Sequence, residues 1–143
     1  MKFKRMGVTA TRKGLSEPQK IWLVKFLENN TAISLHHGDC IGGDNEVATL
    51  FAEYGTYIIA HPGNSGNRRA NCTVNNRVYP PLENLVRNRV IVDSCDLLLG
   101  FPLSLDETER SGTWYTIRYA KKRKVRVIIV GPNGSEVDPF GLK

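Results

Sequence analysis

No hydrophobic run in this 143-residue chain approaches the roughly 20 residues needed to cross a bilayer. The longest, such as Val127-Ile128-Ile129-Val130, suit a buried strand. Cysteine is scarce. Cys40, Cys72 and Cys95 are odd in number, widely spaced and form no CxxC pair, which excludes a disulfide framework and makes a reducing cytoplasm the simplest location. The N-terminus, Met1-Lys2-Phe3-Lys4-Arg5, is basic but has no apolar stretch or cleavage site behind it, so no signal peptide is expected. Internal repeats, low-complexity tracts and linkers are also lacking, and the length fits one domain. Acidic residues are outnumbered: 20 Lys and Arg stand against 14 Asp and Glu, a formal net charge of +6. Such a balance favours anionic partners, namely nucleotides, phosphorylated metabolites or nucleic acid. The run Lys121-Lys122-Arg123-Lys124 also has a local explanation, because cations at a helix C-terminus complement the helix dipole.

What is present is an alternation. Strand-like apolar runs span 6–10, 33–37, 57–60, 97–101 and 125–130, and most are continuous rather than alternating, as in parallel strands covered on both faces. Helical segments lie between them. Ser16-Glu17-Pro18 opens one that should reach Glu28. Val47, Leu50, Phe51 and Tyr54 mark a second, stopped by Gly55. A third should run from Pro81-Leu82 to Asp93, and a fourth from Ser111 into the lysine run. The pattern predicts an α/β, Rossmann-like three-layer sandwich with a mainly parallel, five-stranded sheet in a single domain spanning residues 1–143. Residues 61–80 read as a long polar loop, of functional or mobile character.

Ligands of open α/β sheets bind at strand carboxyl ends, so the segments after the strands hold the candidate site. After the first come Thr9, Thr11 and Arg12, an anion cradle or an ordinary turn. After the second come Gly38, Asp39, Gly42, Gly43 and Asp44. Their glycines allow backbone N–H groups close to a ligand, and their carboxylates suit ribose hydroxyls or, for Asp44, a helix cap. The pattern matches neither GxGxxG nor a Walker loop. Before the fourth helix, Ser111, Gly112 and Thr113 expose hydroxyls and free N–H groups at a positive dipole end, suited to phosphate, or serve only as a cap. On the third helix, Arg89 falls within the stripe of Leu82, Leu85, Val86, Val90 and Val92. It must therefore pair with a carboxylate such as Asp93 or Asp96, or point at a bound anion, whereas Arg87 should be solvated or at a subunit contact. His36, His37, Asp39, Cys40 and His61 are ligand types at neighbouring strand ends, but their spacing fits no zinc pattern, and no metal or other cofactor is expected.

The motifs Thr-x-Thr-Arg, His-His-Gly-Asp-Cys-x-Gly-x-Asp, Arg-Asn-Arg and Arg-Ser-Gly-Thr-Trp-x-Thr-Ile-Arg, in this order over nearly the whole chain, resemble the SLOG superfamily. That group includes the Lonely Guy phosphoribohydrolases and the Rossmann-like domain of DNA-processing protein A. The resemblance implies a nucleotide-type ligand at the strand carboxyl ends and a homodimer or higher homo-oligomer. It matches Gly112 and Thr113 to the Gly-Thr of the Lonely Guy motif Pro-Gly-Gly-x-Gly-Thr-x-x-Glu, and either Arg87 or Arg89 to its helix arginine. The catalytic glutamate of that motif falls on Thr116, so a hydrolase would need a carboxylate from Asp39, Asp44 or Glu109. Three functions follow. The first is binding of a nucleotide-derived phosphorylated small molecule by a sensor or sequestering protein, with Thr116 at the ligand. The second is an N-glycosidase acting on nucleoside 5′-monophosphates. The third is nucleic-acid binding, to which the net charge and residues 121–126 point. No membrane partner is expected.

Overall fold

Strand and helix alternate from Lys2 onward in the computed structural model, which describes residues 1–108 and 111–138. The strands are β1 (Lys2–Ala10), β2 (Thr31–His37), β3 (Tyr57–Ala60), β4 (Arg77–Val78), β5 (Leu97–Phe101), β6 (Arg126–Val130) and β7 (Glu136–Val137). The helices are α1 (Glu17–Asn29), α2 (Gly43–Glu53), α3 (Asn84–Asp93) and α4 (Gly112–Lys122). Among the described residues they build one seven-stranded sheet of order β4-β3-β2-β1-β5-β6-β7, parallel except for β7. The chain winds outward from β1 in both directions. The strand order therefore reverses between β1 and β5, where doubly wound sheets hold their ligands.

The continuous apolar runs are explained by what covers each face. Leu97, Leu99, Ile128 and Val130 meet α1 and α2 through Leu23, Leu27, Val47 and Phe51. Leu98, Val127 and Ile129 meet α3 and α4 through Ile91, Val92, Ile117 and Ala120. Full burial of side chains of this size contributes about 1.5–3 kcal/mol each. On the α3/α4 face two strand glycines let the helices come close. A Cβ at Gly7 would stand 2.8 Å from Cys95 Sγ, and one at Gly100 would stand 2.9 Å from Ile117 Cδ1.

Helix α1 starts with a reciprocal cap: Gln19 N–H donates to Ser16 Oγ (3.2 Å) and Ser16 N–H donates to Gln19 Oε1 (2.9 Å). The Gln19 amide then donates to the carbonyls of Pro102 (3.0 Å) and Val130 (2.9 Å), tying α1 to the ends of β5 and β6.

Three features depart from the sequence expectation. The sheet has seven strands rather than five, because β4 and β7 are two-residue pairings too short to show a periodicity. Residues 61–80 are also more ordered than a plain loop. They contain a 3-10 turn (Gly66–Arg68) and β4, and they are bridged back to the body through Cys40↔Arg69. Helix α3 begins at Asn84 rather than at Pro81-Leu82, since Leu82 is held in an extended bridge with Gly63.

Candidate ligand-binding cleft

At the β1/β5 switch point lies a cleft of about 760 Å³. Its floor and near wall are Thr9, Thr11 and Arg12 after β1 and Gly38–Cys40 after β2; its far wall is Ser111–Trp114 of α4, with Arg87 entering from α3. Five cations line it: Arg12, Lys13, Arg68, Arg69 and Arg87. Arg69 is paired with Asp39, whereas Arg12, Lys13 and Arg68 hold no ion pair among the described residues. Asp39, Asp44 and Asp106 line it too, so cations outnumber acids five to three, an excess that attracts anions.

The two acids of the near wall are committed internally. Asp39 is fully buried with φ +54°, a left-handed conformation that Asp tolerates better than most residues. Its carboxylate accepts from Arg69 Nε (2.9 Å), the Cys72 N–H (3.0 Å) and Asn75 Nδ2 (3.3 Å). Its carbonyl accepts from Ala70 N–H (2.7 Å), so this one residue pins segment 69–75 to the body. Burial works to raise its pKa, but the Cys72, Arg69 and Asn75 donors outweigh burial and hold it below the ordinary carboxylate value. Asp44 Oδ2 accepts the N–H groups of Gly38 (3.0 Å) and Cys40 (3.4 Å). Burial lifts its pKa, opposed by His37 and Arg87. Asp44 closes the β2–α2 turn by these bonds. It does not cap α2, whose cap position is Gly42.

The glycines Gly42 and Gly43 do not face the cleft. A Cβ at Gly42 would stand 2.2 Å from the Arg12 carbonyl oxygen, and one at Gly43 would stand 2.5 Å from Ala10 Cβ. Gly43 N–H donates to the Thr11 carbonyl (3.0 Å). This corrects the expectation that they cradle a ligand: they let the β1 turn pack onto the start of α2, and the chain's own carbonyl fills that helix terminus. The start of α4 differs. Ser111 Oγ accepts from Trp114 N–H (3.2 Å), and the N–H groups of Gly112 and Thr113 have no acceptor among the described residues. Nothing lies within 4 Å of a Cβ placed on Gly112.

The arginine assignment reverses. Arg89 is exposed and Arg87 is buried at the cleft wall. Arg87 Nη1 donates to the carbonyls of Gly38 (2.6 Å) and His61 (3.2 Å), and its Nε donates to Asn88 Oδ1 (2.7 Å). The stripe of Leu82, Leu85 and Val86 is exposed rather than core, and the inner face of α3 is that of Arg87, Ile91 and Val92. Nor does Arg89 pair with Asp93 or Asp96, which bind Arg123 and Arg5. Thr116 is likewise turned away from the cleft: it is buried, and its hydroxyl donates to the Gly112 carbonyl (2.8 Å). Glu109 lies outside the described residues.

Sequence reasoning missed Arg68 and Arg69, which sit in the polar segment with no periodicity to place them; their charge was the only available signal. The histidines divide between the two faces of the sheet. His36 Nδ1 and His61 Nε2 share a hydrogen bond (2.8 Å), and the His61 ring stacks on Tyr79 (4.9 Å), which lies under Arg77 (4.5 Å). Burial lowers the pKa of both imidazoles to about 4, so they are neutral near pH 7. His37 takes the Asp39 N–H on Nδ1 and contacts Asn75 Oδ1 through Nε2 (2.7 Å). His37, Asp39 and Cys72 have donor atoms within 4.8 Å of one another, but Arg69 already neutralises the carboxylate a cation would need. Cys40 lines the cleft. Burial, helped by Asp44, pushes its thiol up to about 11, which leaves it protonated and a poor nucleophile.

No protein-family model and no curated protein matches the chain. Solved structures do match. DNA processing protein A from Streptococcus pneumoniae aligns with TM-score 0.65 at 22% identity, over 89% of this chain and 50% of that one. DNA processing protein A from Helicobacter pylori, described for its single-stranded DNA binding mode, aligns with TM-score 0.64 at 15% identity, over 94% of this chain and 68% of that one. A molybdenum cofactor binding protein from Rippkaea orientalis aligns with TM-score 0.62 at 19% identity, over 90% and 77%. These likenesses establish a Rossmann-like α/β fold with a mainly parallel sheet.

Proposed function

We propose that the cleft binds a nucleotide or nucleotide-derived phosphorylated small molecule, with a phosphate seated at Ser111, Gly112 and Thr113, and that the protein acts as a sensor or sequestering protein. The carrying observation is the start of α4: among the described residues the N–H groups of Gly112 and Thr113 have no acceptor and nothing lies within 4 Å of a Cβ on Gly112, where the helix meets a cation-lined cleft. Thr9, Thr11 and Arg12 supply further donors on the opposite side, and Arg87 holds Gly38 and His61 in place around it.

Binding is favoured over N-glycosidic hydrolysis because such hydrolysis needs a free carboxylate at the sugar. Of the candidate carboxylates, Asp39 and Asp44 are tied up in internal bonds and Glu109 lies outside the described residues, while the position of the Lonely Guy glutamate is a threonine turned onto its own helix; Asp106 is the cleft acid a hydrolase reading would have to use. Nucleic acid ranks below a small molecule. The basic run 121–124 lies at the opposite end of α4 from the cleft, about 15 Å along an 11-residue helix, so it adds nothing to this site.

The test is mass spectrometry of small molecules released from the purified, denatured protein, followed by thermal-shift measurements with a nucleotide panel. The expected result is a stabilising shift for one nucleotide class in the native chain and none in Gly112→Asp, whose side chain and charge fill the phosphate position. No shift with any nucleotide at millimolar concentration, and no co-purified ligand, defeats the proposal. Binding of single-stranded DNA that weakens steeply with salt would replace it with the nucleic-acid alternative.

A further inference from the structure

The side of α3 that turns toward α4 changes character along its length. Leu85, Asn88 and Val92 recur at the i, i+3, i+7 spacing of one helical face. Val92 is fully buried in the cluster it shares with Ile117 and Ala120 of α4, so this face looks onto the α3–α4 seam. Toward the start of α3 the seam opens. Asn88 is half-buried, Leu85 is 40% exposed, and both line the cleft together with the first turn of α4.

The orientation of the Asn88 carboxamide is fixed by its neighbour. Arg87 Nε donates to Asn88 Oδ1 (2.7 Å), and because a guanidinium only donates, the oxygen must be the atom turned to Arg87. That guanidinium is in turn anchored on the carbonyls of Gly38 and His61. The Asn88 NH2 group therefore points away from Arg87, and it has no acceptor among the described residues. No buried side-chain nitrogen or oxygen among them lacks a partner, so this NH2 group is open to solvent, at the cleft that Asn88 lines. Asn84, one turn earlier, is committed instead: its Nδ2 donates to Ser65 Oγ (3.4 Å) and its Oδ1 lies against Gly63.

We propose that Asn88 selects the base of the bound nucleotide: its Nδ2 donates to an exocyclic oxo group while the ring rests on Leu85, so the ligand is a nucleotide of a 6-oxo purine or a 4-oxo pyrimidine. The inference rests on the nucleotide reading of the cleft, with the phosphate at Ser111, Gly112 and Thr113. An exposed leucine suits the flat apolar face of a base ring, whereas a ribose carries hydroxyls that gain nothing from it. Packed helices lie about 8–10 Å apart, so a base on α3 and a phosphate at the start of α4 are within the span of one small molecule. An amino group in place of the oxo group would set donor against donor and strand both away from water. That is how a polar site rejects a ligand of nearly the same shape.

Calorimetric titration of the full chain with the 5′-monophosphates of inosine, uridine, adenosine and cytidine tests the proposal, with circular dichroism confirming that each variant is folded. In the native chain the inosine and uridine nucleotides are expected to bind about tenfold tighter than those of adenosine and cytidine. Asn88→Asp keeps an acceptor for Arg87 Nε and turns the cleft-facing group from donor to acceptor. Its charge should weaken every phosphate ligand, but the order of preference should invert. Asn88→Ala removes the donor and should level the preference, and Leu85→Ala should weaken all the nucleotides without changing their order. Inosine and adenosine nucleotides binding alike, or a folded Asn88→Ala that keeps the native order, would overturn the base assignment and leave the nucleotide reading standing. Binding of none of these nucleotides overturns the base assignment too, and an absence of any thermal shift across the whole panel would remove the nucleotide reading with it.

Discussion

Two glycine-bearing helix starts look alike in sequence, Gly42-Gly43 before α2 and Ser111-Gly112 before α4, yet only the second lines the cleft. In the structure one is filled by the chain's own backbone and the other meets none of the described residues. Gly43 N–H is capped by the Thr11 carbonyl and Arg12 crowds Gly42, whereas Gly112 faces open space. A glycine thus marks close approach without saying whether the approaching atom belongs to the chain or to a guest. The acids follow the same division. Asp39 is held by Arg69, Cys72 and Asn75 and Asp44 by Gly38 and Cys40, so the near wall is a built scaffold, and the α4 wall is the one proposed to receive a ligand.

The largest effect that would sharpen this contrast comes from Asp39. Replacing it with Ala strands a half-buried Arg69 and two amide donors, and should cost about 3–5 kcal/mol of stability, read by chemical denaturation. A loss below about 1 kcal/mol would mean the pinning is ornamental.

Next come the paired glycines. Gly43→Ala places a methyl 2.5 Å from Ala10 Cβ and should cost about 1–3 kcal/mol through overpacking. Gly112→Ala meets open space and should leave the melting temperature unchanged or raised while weakening nucleotide binding. Equal destabilisation by both would erase the distinction between the two helix starts.

Acid provides a third probe. The folded pKa of His36 and of His61, about 4, lies below the ordinary 6.5, so the unfolded chain binds more protons between these values. Their contribution to stability is therefore complete above pH 6.5 and is lost as pH falls toward 4. Thermal midpoints should decline across that window, and His61→Phe should flatten the decline. The smallest effect is expected of Thr116→Val. It removes one hydroxyl bond to a helix carbonyl, should cost less than about 1 kcal/mol, and should leave nucleotide affinity intact if the residue stands outside the cleft.

The layered α/β plan was legible because strands buried on both faces read as unbroken apolar runs: Leu97–Phe101 and Arg126–Val130 carry the pattern openly. The candidate site was legible to the level of its loops. Thr9, Thr11, Arg12, Gly38, Ser111, Gly112 and Thr113 do come together. Side-chain direction was not legible where a helix is apolar on two sides, and this is why Arg87 and Arg89 exchanged places on α3. The roles of Arg69, Cys72 and Asn75 were hidden for a different reason. They are joined to Asp39 across some thirty residues, and only the folded backbone brings them together.

The two tryptophans occupy separate districts of the molecule. Trp114 lines the cleft, its indole N–H bound to the Ser104 carbonyl (3.2 Å), while Trp22 stacks on Phe26 and donates to Glu136 on the other side of the sheet. Replacing Trp22 with Phe would therefore leave a single indole emitter at the mouth of the cavity, a fluorescent gauge of occupancy that the chain supplies without any added label.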